Sequence, residues 1–162
     1  MSEWTVHLRR TDPDESAASD GPEFVIEESL GYLVNRAARV MAQRLAEELR
    51  PAGVGIGQWA VLMFLWARDG MSQAELARVV AIEPPTMVRT IDRMVRDGLV
   101  TRDRDPDDAR VSRIRLTNRG RALRNELVPR AVAVNARTLG GVSERGARSL
   151  RRQLEKVIAD DE

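Results

Sequence analysis

The sequence contains no cysteine, one histidine and one lysine among its 162 residues. The missing thiols exclude disulfides, thiolate metal sites and a cysteine-based redox sensor. With His7 as the only imidazole, a zinc site would need mostly carboxylate ligands, which is uncommon. A glycine-rich phosphate loop is also missing. These gaps predict a protein that is not an enzyme and that uses no metal or other cofactor.

The sequence also lacks a long apolar run. No segment approaches the ~20 apolar residues of a membrane span, and the N-terminal MSEWTVHLRRTDPDE has no signal-peptide pattern. We therefore expect a soluble, cytoplasmic protein with no membrane partner. The length fits one compact domain, or a small domain with added helices.

Charge is balanced overall but not along the chain. The formal net charge is +1, yet residues 84–121 contain ten arginines against six aspartates, and many of the acidic residues lie near the two ends. A basic block inside a near-neutral chain is typical of a protein that binds a polyanion.

The N-terminal third combines an irregular segment with two predicted helices. Residues 1–22 are polar and without sustained periodicity, which predicts a disordered or loosely docked arm. In this arm His7 is expected to be solvated, whereas Trp4 is either there by chance or docks on a partner subunit. Apolar residues at three- and four-residue steps predict an amphipathic helix from about Phe24 to Leu49. Residues 57–68 are apolar on nearly every face, which predicts a short helix buried in the domain.

The next segment predicts two helices joined by a short turn. Ser72 and Glu75 have the spacing of a capping box, which starts the first helix. Its inward-facing positions are expected to be Leu76, Val79 and Val80. Pro85 suits the first position of the second helix, which runs to about Asp97 and has Gly98 as its C-terminal cap. This arrangement is a helix-turn-helix.

The second of these helices has two different faces. Its apolar stripe is expected to contain Val88, Ile91 and Val95, widened by Met87 and Met94. The opposite face carries only hydroxyls and arginines, and its candidate base and phosphate contacts are Thr86, Arg89, Thr90 and Arg93. Ordinary surface charge is the alternative explanation for the two arginines. At the start of the preceding helix, exposed amides make Ser72 and Gln73 candidates for a phosphate contact, although Ser72 can also act as a cap alone.

A charged hairpin follows, with the sequence RDRDPDDARVSRIRLT at residues 102–117. Residues 99–102 and the alternating residues 111–116 predict two strands, and the Asp-Pro-Asp-Asp between them supplies turn chemistry. Thr117 is expected to cap a helix that Pro129 kinks, and a last helix starts at Ser143. Neither helix is expected to bury its apolar stripe against the rest of the domain. Together with the first helix, both are therefore expected to form an interface between two subunits.

The stretch SQAELARVVAIEPPTMVRTIDRMVRDGLVTRDRDPDDARVSRIRLTNRG resembles the winged-helix core of the MarR (multiple antibiotic resistance regulator) family. The shared elements include Pro85-Thr86, Asp108-x-Arg110, Leu116-Thr117 and Gly120, and the resemblance spans about four-fifths of the chain. It implies a mainly α fold with a small β-wing. The implied parts are a flexible arm at 1–22, dimerisation helices at 23–50 and 118–162, and a winged helix-turn-helix DNA-binding domain at 55–117.

The resemblance also implies a homodimer that binds a pseudo-palindromic operator in double-stranded DNA. Each recognition helix, starting at Pro85, would enter a major groove, and each wing would reach the adjoining minor groove. Arg110 is then the minor-groove arginine, and Asp108 is the residue that orients it. A narrow minor groove has enhanced negative potential, so one guanidinium on a hairpin tip suits it.

The resemblance also implies a repressor that is released by a small ligand, for which an aromatic acid is the candidate. The residues of this chain that suit such a site are Arg36, Arg39, Trp59 and Met63, although a plain core role is the favoured explanation for Trp59 and Met63. Arg104 and Arg113, in the hairpin, receive no role. The alternative function is a winged-helix module that binds another protein without specific DNA binding. The basic block argues against it, because a protein-binding wing is expected to expose apolar anchors.

Overall fold

A computed structural model describes residues 6–7, 24–105, 108 and 110–159. The chain forms two compact units, which divide within the first long helix between Gln43 and Arg44. In the first unit, strand β1 (Val6–His7) pairs in parallel with β2 (Phe24–Val25), and a 3-10 turn at Ile26–Glu28 leads to helix α1 (Leu30–Leu49).

The start of α1 differs from the sequence prediction, because the helix expected from Phe24 begins only at Leu30. Ser29 sets this boundary. Its carbonyl oxygen accepts the N–H of Leu33 (3.0 Å), and its hydroxyl accepts the N–H of Tyr32 (3.4 Å). Serine favours the position before a helix because its side chain satisfies an amide that has no partner inside the helix. The β1 strand lies within the segment expected to be an irregular arm, and Trp4 lies outside the described residues.

After a 3-10 turn at Arg50–Ala52, the second unit contains α2 (Ile56–Ala67), β3 (Met71–Ser72), α3 (Gln73–Val80), α4 (Pro84–Arg96), β4 (Val100–Arg104), β5 (Ser112–Leu116), α5 (Asn118–Thr138) and α6 (Glu144–Ala159). The three strands form one antiparallel sheet in the order β3-β5-β4. The predicted winged helix-turn-helix, mainly helical with a small β-wing, is therefore confirmed.

Helix α2 lies at the centre of the hydrophobic core, as its all-round apolar character predicts. Val61, Leu62 and Leu65 are fully or almost fully buried, and each such side chain contributes about 1.5–3 kcal/mol of burial free energy. The indole N–H of Trp66 donates to the carbonyl oxygen of Gly120 (2.9 Å), which links α2 to the first turn of α5.

Helix α5 corrects one expectation, because it does bury its apolar stripe inside the domain. Leu123 and Leu127 belong to the core cluster, and Val134 is also buried. Pro129 lies inside a helix that runs without interruption from Asn118 to Thr138. The apolar stripe can be buried because Gly120 has no side chain, which allows the first turn of α5 to approach the chain closely at Leu99.

Helix α6 contains no buried residue. Its large apolar side chains are exposed in this single chain, and they are Leu150, Leu154, Val157 and Ile158. It begins at Glu144, one residue after the predicted start. Among the helices that the structure describes, none is long and apolar enough to cross a membrane.

Candidate DNA-binding interface

The predicted capping box at the start of α3 is confirmed. The Ser72 hydroxyl accepts the N–H of Glu75 (3.1 Å), and the Glu75 carboxylate accepts the N–H of Ser72 (2.7 Å). Hydrogen bonding of the Glu75 carboxylate to the backbone N–H and to the side chain of Ser72, and then the guanidinium groups of Arg68 and Arg113, hold the pKa of Glu75 below its usual value against the opposing effect of burial. The carboxylate therefore stays ionised in the folded protein, and the start of α3 is firmly fixed.

The inward face of α3 contains Leu76 and Ala77, both buried, with Val80 half-buried. Val79 is exposed, so its predicted inward position was wrong. The helix ends at Ala81, whose φ of 56° lies in the left-handed region that a residue with a Cβ rarely adopts. This residue makes the sharp turn between the two helices.

The recognition helix α4 begins at Pro84, one residue before the predicted start. The carbonyl oxygen of Glu83 accepts the N–H groups of Thr86 and Met87, both at 3.0 Å. Both prolines therefore occupy the first turn, where a missing N–H removes no intrahelical hydrogen bond. Gly98, at a φ of +66°, follows the end of the helix as predicted.

The buried side of α4 differs from the stripe predicted from the sequence. Met87, Ile91 and Met94 are fully buried, whereas Val88 and Val95 are 37% and 41% exposed. The prediction was therefore wrong for the two valines. The methionines, predicted only to widen the stripe, are its centre, because their long flexible side chains reach into the core between α2 and α3.

The opposite side of α4 presents the polar residues predicted to contact DNA. Thr86, Arg89 and Arg93 are exposed, and so is Pro85 at the start of the helix. Thr90 is half-buried, and its hydroxyl donates to the carbonyl oxygen of Thr86 (2.9 Å). Neither Arg89 nor Arg93 forms an ion pair with any described residue, so both guanidinium groups are available to a partner.

The C-terminal end of α4 is held by a residue that sequence reasoning missed. Gln58 of α2 is buried and donates from its amide to the carboxylate of Asp97 (2.7 Å), while its amide oxygen accepts the N–H of Gly55 (2.8 Å). Arg119 donates to the Asp97 carbonyl oxygen (2.7 Å). Gln58 is the single polar side chain in the otherwise apolar helix α2, and this exception in the sequence could have predicted the contact.

The wing carries Arg110, which is exposed and forms no ion pair with a described residue. Asp108, predicted to orient it, accepts the backbone N–H of Arg110 in its carboxylate (2.9 Å). The Asp108 carbonyl oxygen accepts the N–H of Val111 (2.9 Å). Asp108 therefore stabilises the backbone conformation of the segment that carries Arg110.

A second arginine joins the wing to both helices of the helix-turn-helix. Arg102 of β4 donates to the carboxylate of Asp92 on α4 (2.7 Å) and to the side-chain oxygen of Gln73 on α3 (3.4 Å). Gln73, a predicted phosphate contact, is thereby already engaged within the protein. Helices α3 and α4 contact each other, α4 contacts β4 and α3 contacts β5, so the elements that carry the candidates are neighbours in the second unit.

The four residues suggested for an effector site fall on two helices. Arg36 and Arg39 line a cleft of about 380 Å³ on α1 together with Tyr32 and Asn35, and Arg36 donates to the Tyr32 hydroxyl (2.8 Å). On α2, Trp59 is a buried core residue in edge-on contact with Trp66, whereas Met63 is 45% exposed. No group of three potential metal ligands occurs among the described residues.

Comparisons with known proteins agree with this geometry. The family model described as MarR family matches residues 56–112. An HTH-type transcriptional repressor of Mycobacterium tuberculosis is 31% identical over 131 residues, which cover 81% of this chain and 94% of that protein. The similarity therefore extends well beyond the helix-turn-helix and wing.

Solved structures show the same likeness. A MarR transcriptional regulator from Methanosarcina mazei superposes with a TM-score of 0.76 at 27% identity, over 82% of this chain and 95% of that one. A mutant of MarR from E. coli, solved in complex with operator DNA, gives a TM-score of 0.74 at 25% identity, over 79% and 92%. The chain therefore belongs to the MarR family and is a DNA-binding transcription regulator.

Proposed function

We propose that this protein is a dimeric repressor that binds a pseudo-palindromic operator in a bacterial cytoplasm and has no catalytic activity. The observation that carries the proposal is the exposed face of α4, where Arg89 and Arg93 have no carboxylate partner among the described residues, beside a wing that presents Arg110. Buried or paired arginines would not be free to bind phosphates or guanine edges.

Each element has a separate role in this proposal. Helix α4 enters the major groove, where Arg89 and Arg93 contact bases and phosphates, and Arg110 enters the adjoining minor groove. Thr86, Thr90 and Pro85 lie along the same side of α4. Ser72 and Gln73 lie at the start of α3, where helix N-termini favour phosphate.

The dimer is proposed from the exposed apolar side chains of the terminal helices. On α6, Leu150 and Leu154 are 46% and 39% exposed, and Val157 and Ile158 are more so. Such a row of apolar side chains is typical of a helix that packs against a partner. A two-fold dimer would present its two copies of α4 to half-sites about 34–36 Å apart.

The effector in this proposal is a small aromatic acid. The cations proposed for its carboxylate are Arg36 and Arg39, which line one cleft on α1. Since Trp59 is a core residue, its part is to support α2. An effector acts only if it binds the DNA-incompetent state more tightly than the DNA-bound state.

The test is a titration of labelled duplex from the region upstream of the gene, with a shuffled duplex of equal length as reference. We expect wild-type protein to prefer the upstream duplex, and Arg110→Ala to weaken that binding by about 5–150-fold, the equivalent of 1–3 kcal/mol. Arg124→Ala is the matched control, because Arg124 is an exposed arginine of α5 outside the helix-turn-helix and wing. Light scattering should find the same dimer for all three proteins.

Two results would contradict the proposal. Equal affinity for the upstream and shuffled duplexes at every salt concentration would leave a protein-binding module as the better account. Wild-type affinity of the Arg110→Ala protein would remove the role given to the wing. A steep fall of affinity with salt is expected, because each phosphate contact releases a counterion.

A further inference from the structure

The base of the wing contains a buried carboxylate. The Asp105 side chain, at the end of β4, is only 7% exposed. It accepts the N–H of Asp108 (3.3 Å) and a short hydrogen bond from the Nε of Arg113, while the Asp105 N–H donates to the carbonyl oxygen of Val111 (2.9 Å). Burying a carboxylate is costly unless it is paired and hydrogen-bonded. These contacts therefore fix both ends of the loop that carries Arg110.

Arg113 connects this carboxylate to α3. It lies on β5 opposite Ser72 of β3 and Asp103 of β4. Its Nε faces Asp105, and its Nη1 donates to the carboxylate of Glu75 (3.3 Å). One planar guanidinium thus binds a carboxylate of the wing and the carboxylate that caps α3.

The Glu75 end of this connection is itself fixed. Its carboxylate accepts the N–H of Ser72 and also pairs with Arg68 (2.8 Å). Because every partner is held by a further contact, a displacement of the wing base would break hydrogen bonds on both sides of Arg113. A lysine could not reproduce the connection, since its ammonium is a single point and cannot span two carboxylates in a fixed geometry.

We propose that Arg113 is the positioning residue of the wing, which sets the place of Arg110 relative to the start of α3 without itself contacting DNA. This inference rests on the proposed function for its effect on affinity. The structural part of the inference, that Arg113 orders the wing, does not rest on the proposed function. Arg104 of β4 offers a comparison, because it is an exposed arginine of the same hairpin with no ion pair among described residues.

The first test is a double-mutant cycle in the duplex titration. Arg113→Met keeps the aliphatic stem and should weaken binding by about tenfold, a part of the 1–3 kcal/mol of a specific arginine contact. In an Arg110→Ala background the same substitution should change affinity by less than about twofold, since the group that it positions is gone. Arg104→Met removes the same charge, and its effect should be the same in both backgrounds.

Salt dependence separates positioning from direct contact. Loss of a phosphate contact lowers the slope of log affinity against log salt by about one, and Arg113→Met should leave the slope unchanged. A lower slope, or an effect of Arg113→Met that persists in full beside Arg110→Ala, would show that Arg113 touches DNA and would overturn the inference. Wild-type affinity of Arg113→Met would overturn it too.

A second measurement needs no DNA. Backbone ¹⁵N relaxation of the free dimer should show lower order parameters at Asp108, Arg110 and Val111 in Arg113→Met, with no change in Arg104→Met. Unchanged order in the wing of Arg113→Met refutes the positioning role even if the wild-type protein binds no duplex. Failure of the wild type to prefer the upstream duplex refutes the proposed function alone. The two failures are therefore distinguishable.

Discussion

Gly120 is the position where one added methyl group should damage the fold most. It lies in the first turn of α5, and a Cβ there would lie far inside van der Waals contact with the carbonyl oxygen of Leu99, with Leu116 Cδ2 at 3.2 Å. The Leu99 oxygen cannot move away easily, because it accepts the N–H of Thr117 (3.0 Å) and the Thr117 hydroxyl (3.2 Å). Gly120→Ala should therefore separate the first turn of α5 from the chain at Leu99.

The expected size follows from two opposing effects. Forcing an extra methyl group into a packed site costs about 1–3 kcal/mol, occasionally more. Alanine gains up to about 1 kcal/mol over glycine inside a helix, and less in the first turn. Since the clash involves backbone, and the carbonyl oxygen of Gly120 also holds the Trp66 indole, we expect Gly120→Ala to lower the free energy of unfolding by about 2 kcal/mol.

The assay is urea unfolding followed by far-ultraviolet circular dichroism, at one fixed protomer concentration because dimer stability depends on it. A loss of about 2 kcal/mol corresponds to a melting temperature lower by about 4–8 °C. Gly57→Ala is the matched control, since apart from its chain neighbours and its own helix backbone no atom of the described residues lies within 4 Å of a Cβ at that position. It should be neutral or stabilising by up to about 1 kcal/mol. A Gly120→Ala protein as stable as the wild type would refute the close approach of α5 to Leu99.

Two further predictions concern the helix-turn-helix. Ala81→Gly should raise the urea midpoint by the equivalent of about 1 kcal/mol, because glycine adopts the left-handed conformation without the steric cost that alanine has there. The control Ala74→Gly, at an ordinary position of α3, should lower the free energy of unfolding by a similar amount. Equal effects of the two substitutions would contradict the reasoning. The lowered pKa of Glu75 makes its carboxylate stabilising above its unfolded pKa of about 4.3, and this contribution is lost as the pH falls through the lower folded pKa. The stability difference between wild type and Glu75→Gln should thus be constant near neutral pH and shrink in acid, and a difference that grows in acid would have the wrong sign.

The local features of this domain could be predicted from the sequence because neighbouring residues determine them. The Ser72–Glu75 cap, the Thr117 cap, whose hydroxyl accepts the N–H of Gly120 (3.0 Å), and the left-handed Gly98 all depend on residues within a few positions. The alternation of residues 111–116 likewise predicted β5.

The remaining contacts depend on which elements meet, and a single sequence does not contain that information directly. Val88 and Met87 are adjacent and both apolar, so only the neighbouring helices decide that the methionine is buried. Gln58, Arg102 and Arg113 each bind residues far away in the chain. For Arg113 in particular, no local pattern distinguished a residue that holds the wing from one that binds DNA. The assignment of Arg89, Arg93 and Arg110 to DNA remains a prediction.

The middle position of β5 in the sheet has a consequence for how the domain loses its structure. Gly70 donates its N–H to the carbonyl oxygen of Ile114 (3.1 Å), and Met71 pairs with Ile114. The chain between these paired residues comprises α3, α4 and β4. Opening the β3–β5 pairing therefore releases both helices of the helix-turn-helix together with the wing. We expect amide hydrogens across these elements to exchange with similar opening free energies, as one cooperative unit.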